Sequence, residues 1–157
     1  MTRKDYRDQI LAEVDRNGVV KLIQVQKAKD EVRKKYQGIS EMTNLKDGFI
    51  PESGVHIHHI IPQSVDQDFA LFRENLIALT PGQHLSFAHI KGNTQRIDPE
   101  FQKKCIKVKF DNIKESLSHG EDFYIKSNFI KIINNIFDWN LSHDSSLDTI
   151  DEKLLNI

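Results

Sequence analysis

Residues 55–62, VHIHHIIP, are short, rich in β-branched side chains and stopped by a proline. Proline has no backbone N–H to give to a strand ladder, so this run predicts a brief strand that ends before Pro62. A polar connection, QSVDQDFALFRE, leads to NLIAL at residues 75–79, a second short apolar run. TPGQH at residues 80–84 comes next. Thr80 can cap a helix there, with Pro81 at its first position. Strand, connection, strand and capped helix form a ββα unit, and that unit limits what the rest of the chain can be.

The flanks read as helical. Tyr6, Ile10, Leu11 and Val14 recur at helical spacing before Gly18, which is expected to stop the first helix. Leu22, Val25, Ala28 and Val32 define a second helix over 19–36. Residues 38–54 contain Pro51 and no sustained period, the pattern of a loop. Beyond Asp98, residues 99–118 predict a helix with Phe101, Cys105 and Val108 on one arc and Ile106, Phe110, Ile113 and Leu117 on another. Residues 121–137 predict a last, very apolar helix, followed by an acidic tail that packs only in part. The fold class expected is α+β and mostly helical, with the two short antiparallel strands and their helix embedded between helical regions. One compact domain is expected, divided into an N-terminal helical region (1–54), the ββα core (55–92) and a C-terminal helical region (93–157).

Composition narrows the function classes. A single cysteine, Cys105, excludes an intrachain disulfide and a cysteine-based zinc knuckle. No apolar run approaches the ~20 residues of a membrane span, and the charged N-terminus MTRKDYRDQI has no apolar leader core. A cytoplasmic protein with no membrane partner is expected. The net charge of −1 hides an asymmetry: residues 1–131 hold 21 basic and 18 acidic side chains, residues 132–157 one and five. A mildly basic body permits DNA binding without demanding it, and ordinary surface charge accounts for it equally well. Lys103, Lys107 and Lys114 fall on one helical stripe, more often a solvated face than a nucleic-acid track.

Five of the seven histidines lie between positions 56 and 89. His58 and His59 are adjacent at the end of the first strand, so their side chains leave nearly one backbone position in different directions. One can hold a metal while the other activates a water. His84 sits at the start of the following helix and can reach back to the same place. HHIIP at residues 58–62, Asn75-Leu76 and His84 resemble the HNH (ββα-metal) endonuclease motif. Fifteen residues separate His59 from Asn75 and eight separate Asn75 from His84, spacings that fit the family. The likeness covers residues 55–90, and the wider pattern NLIALTPGQHLSFAH resembles restriction-type and phage or defence members.

The resemblance implies roles residue by residue. His59 is the general base. His58 and His84 are metal ligands. Asn75 ties down the loop between the strands, orienting His59, or approaches the metal. The cofactor implied is one divalent ion per site, most simply Mg²⁺, with Mn²⁺, Zn²⁺ or Ni²⁺ as alternatives. The reaction implied is hydrolysis of DNA phosphodiesters to 5′-phosphate and 3′-hydroxyl ends. Double-stranded DNA is the expected substrate, and a homodimer would allow both strands to be cut, the apolar 123–137 segment being either a core helix or that dimer face. A nicking, homing or phage nuclease, and a non-catalytic ββα nucleic-acid-binding module, are the competing readings.

The chain departs from the pattern where relatives carry a second helix histidine four residues after the first, because Ala88 occupies that place. His89 lies five residues on, ~140° around an ideal helix, and ligates only if the helix ends or bulges. His56 alternates with His58 and shares its strand face, as a supporting residue or as an exposed one. Lys91 and Arg96 are candidates for phosphate contacts, or else solvated loop charges.

Overall fold

The computed structural model describes residues 2–42, 55–84 and 98–157, and for residues 6–20 the backbone alone. It is mostly helical, with one two-stranded antiparallel sheet. Helix α1 spans Arg3–Lys35, strand β1 His56–His59 and strand β2 Leu76–Leu79. Helices α2 (Pro81–Gln83), α3 (Pro99–Ser118), α4 (Lys126–Phe137) and α5 (Leu147–Leu155) complete the order.

Helix α1 opens on a capping box in which Thr2 and Asp5 satisfy each other's backbone N–H. It runs unbroken through Gly18, contrary to the expected stop. Glycine inside a helix costs about 1 kcal/mol relative to alanine, which a helix of this length absorbs. The end comes at Tyr36, where Gln37 and Gly38 both take positive φ and Gly38 N–H donates to the Arg33 carbonyl.

The sheet register pairs His56 with Leu79, Ile57 with Ala78, His58 with Ile77 and His59 with Leu76. Two strands alone are marginal in water, so both faces must be covered. On one face Ile57, Leu76 and Ala78 pack against Ala28 and Val32 of α1. On the other, Ile77 and Leu79 join the main core with Ile60, Ile61, Cys105, Ile106, Phe110 and Phe129.

Helix α3 keeps its expected bounds, capped by Asp98 on the N–H groups of Glu100 and Phe101. Helix α4 starts at Lys126, later than the pattern predicts. Its would-be first turn is held elsewhere: Glu121 pairs with Lys35, the Phe123 carbonyl accepts from Arg73, and Ile125 N–H donates to Glu74. The acidic tail folds too. It forms α5, which is capped by Ser146 and buries Ile150 and Leu154 in the core. Phe129, Ile130, Ile132 and Ile133 of α4 are buried within their own chain, so these side chains belong to the core. Among the described residues no helix is long and apolar enough to cross a membrane.

Candidate functional site

Strand alternation distributes the histidines. His56 and His58 share the face of Ile77 and Leu79, with His56 exposed and His58 only 2 % exposed. His59 turns to the opposite face with Ile57 and is half-buried. One dipeptide thus serves both sides of the strand.

His84 is carried to this place by the start of α2. Thr80 accepts from Gln83 N–H while the Gln83 side chain accepts from Thr80 N–H, a reciprocal box that fixes the first turn. Gln83 is itself locked, accepting from the Ser40 hydroxyl at 2.7 Å and donating to the Met42 carbonyl at 3.0 Å. The His84 ring then lies 5.1 Å from that of His58 and 5.2 Å from that of His56, centroid to centroid. His56 Nδ1 and His84 Nδ1 are 3.1 Å apart, a hydrogen bond in which one ring donates and the other accepts. Among the described residues, no group of three or more His, Cys, Asp or Glu side chains is poised as it stands to hold a metal ion.

His59 Nε2 lies 3.1 Å from the Ala70 carbonyl oxygen. A carbonyl can only accept, so Nε2 carries the proton and the neutral ring keeps its lone pair on Nδ1. Burial holds the imidazole below its ordinary pKa, with Lys29 acting in the same direction and the Ala70 hydrogen bond opposing them.

Asn75 holds the connection between the strands. Its Oδ1 accepts from Ile61 N–H at 2.8 Å, and its Nδ2 donates to the Ile61 and Phe69 carbonyls at 3.1 and 3.3 Å. The Asn75 backbone carbonyl also accepts from Ile60 N–H. The amide is fully buried and its partners are backbone groups of the loop that leaves His59 and passes Ala70. Holding that loop sets the position of the Ala70 carbonyl, and through it the His59 ring. His89, Lys91 and Arg96 lie outside the described residues.

Sequence reasoning misses one buried network behind β2. Lys109 and Glu41 are fully shielded and paired at 2.7 Å. Glu41 also accepts from Ala78 N–H at 2.6 Å and Asn112 at 2.8 Å, and its own N–H donates to the Ala78 carbonyl. Lys109 donates to the Tyr124 hydroxyl at 3.0 Å, which is 2.6 Å from that of Tyr36. Burial pulls the Lys109 ammonium below its ordinary pKa while Glu41 works against that shift. Lys109 lies between Val108 and Phe110 in a helix rich in lysine, so no local signal sets it apart. The predicted lysine stripe behaves as ordinary surface charge: half-buried Lys103 pairs with Glu100 and half-buried Lys114 with Asp111 and Asp151, while Lys107 is exposed.

No protein-family model matches this chain, and no curated protein or solved structure is significantly similar to it. The residues themselves therefore carry the functional argument.

Proposed function

We propose that this chain is a metal-dependent endonuclease of the HNH (ββα-metal) type that hydrolyses DNA phosphodiester bonds. The observation that carries this reading is the placement of His58 and His84 with rings 5.1 Å apart, together with a His59 that follows His58 in the chain, turns to the other strand face and has its tautomer fixed by a backbone carbonyl. The donor chemistry fits a divalent ion. His58 and His84 would hold it, and neutral imidazoles are its usual nitrogen ligands.

His59 supplies the base. With Nε2–H given to Ala70, Nδ1 takes the proton from the attacking water. Its depressed pKa keeps the ring neutral near pH 7, the form a base requires. Asn75 is a positioning residue, acting through the loop that holds Ala70. A bound ion supplies charge stabilisation at the scissile phosphate and the leaving 3′-oxygen. The DNA substrate, the restriction-type role and a dimeric assembly belong to the same proposal.

The test is incubation of the purified protein with a mapped supercoiled plasmid and Mg²⁺, Mn²⁺, Ni²⁺ or Zn²⁺. Metal-dependent cleavage, abolished by chelation and leaving 5′-phosphate and 3′-hydroxyl ends, is expected. Discrete bands mark a site-specific enzyme, a smear a nonspecific one and an open circle a nicking one. Intact plasmid with every metal overturns the reading.

A further inference from the structure

We propose that His56, on β1, is the third protein ligand of a three-imidazole metal site with His58 and His84, and that this site selects a transition-metal ion over Mg²⁺. The inference rests on the reading of His58 and His84 as ligands, and it requires no particular substrate.

Three observations carry it. The alternation of β1 sends His56 and His58 to the same face, so two imidazoles project from one strand without distortion. The His84 ring sits against both, at 5.1 and 5.2 Å. His56 Nδ1 and His84 Nδ1 are separated by 3.1 Å. Metal–nitrogen bonds of ~2.1 Å place adjacent ligands ~3.0–3.4 Å apart, from octahedral to tetrahedral angles. The observed spacing, made by a hydrogen bond in the metal-free arrangement, falls within the range that two ligands on one ion require. In the metal-free arrangement one ring donates its Nδ1 proton to the other; for both rings to ligate through Nδ1 the donor would change tautomer, its proton passing through solvent to its own Nε2, so that each ring keeps one N–H and turns its Nδ1 lone pair to a common point.

The choice of ion follows from the donors. Mg²⁺ is a hard cation that prefers oxygen and keeps several waters, whereas imidazole suits zinc, nickel, copper and iron. The three side chains brought together here are all imidazoles, and none is a carboxylate. His56 is exposed, so ligation through it leaves the outer coordination positions open toward solvent and substrate.

The experiment uses the full chain, wild type and His56→Ala, loaded with Co²⁺ and examined by paramagnetic proton NMR. Isothermal titration with Zn²⁺, Ni²⁺ and Mg²⁺ runs alongside. Each ligating imidazole contributes one strongly shifted, exchangeable N–H signal. Wild type is expected to show three and His56→Ala two, with Ni²⁺ and Zn²⁺ affinity reduced at least ~10-fold. Mg²⁺ is expected to bind wild type at least ~100-fold more weakly than Ni²⁺. A thermal melt of the variant, whose substitution is at an exposed position, confirms that it folds. Two signals in both proteins with unchanged affinity, or Mg²⁺ bound as tightly as Ni²⁺, overturns the proposal while leaving the nuclease reading intact. Three signals in a protein that cuts no DNA supports the site and overturns the nuclease reading. Absence of any bound metal overturns the proposal and the ligand roles of His58 and His84 together.

Discussion

Replacing Lys109 by methionine removes the ammonium from a fully shielded pair and leaves the Glu41 carboxylate behind β2 with neutral donors such as Ala78 N–H and Asn112. At 2.7 Å the pair attracts by ~6 kcal/mol at an effective dielectric near 20, and desolvation of the two ions offsets much of this. Removing one partner leaves the other's desolvation uncompensated, a loss of ~3–5 kcal/mol. For a chain of this size each kcal/mol moves Tm by ~2–4 °C, so Lys109→Met is expected to lower it by ~6–20 °C. The double variant Glu41→Gln/Lys109→Met removes both charges. Its loss is expected to fall short of the sum of the singles by ~2 kcal/mol. Calorimetric or circular-dichroism melts of the four proteins complete the cycle. A Tm change under ~2 °C for Lys109→Met, or strictly additive singles, would refute the reasoning.

Other expectations concern the site. Asn75→Ala strips the Ile61 and Phe69 backbone groups of their partners and is expected to cost ~3 kcal/mol by urea denaturation. Cleavage should fall in Asn75→Ala even where the protein remains folded, because the Ala70 carbonyl loses its anchor. The pH–rate profile should show an acid limb lying below the ordinary histidine value of 6.5, since burial holds His59 neutral to lower pH. Protonation on the acid side removes the lone pair a base needs, so activity is present above that pKa and lost below it. An acid limb above 6.5 contradicts the assignment.

What the sequence made legible follows from how local each signal is. The β-branched run before Pro62, the Thr80–Pro81 cap and the Asp98–Pro99 start of α3 are written within a few residues, and each appears where expected. Alternation likewise placed His56 beside His58. Gly18 misled because a glycine penalty is small beside the length of α1. The start of α4 was displaced by partners distant in sequence: Glu121 answers to Lys35, and Ile125 to Glu74. Tertiary contacts of that kind leave no periodic trace. The tail's negative charge concealed the two apolar anchors of α5, Ile150 and Leu154, which suffice to dock one face. Lys109 and Glu41 were out of reach for the same reason, since they are separated by most of the chain's middle and meet only in the folded protein.

The central claim is that His59 is the base of a metal-dependent phosphodiesterase. Its most direct test is single-turnover cleavage of an end-labelled duplex by wild type and His59→Ala at saturating metal, with metal affinity measured on both. His59 donates to Ala70 from the strand face opposite His58 and is not a proposed ligand, so affinity should be preserved. The cleavage rate is expected to fall ~10²–10⁴-fold. An unchanged rate in His59→Ala, with metal still bound, would contradict the account.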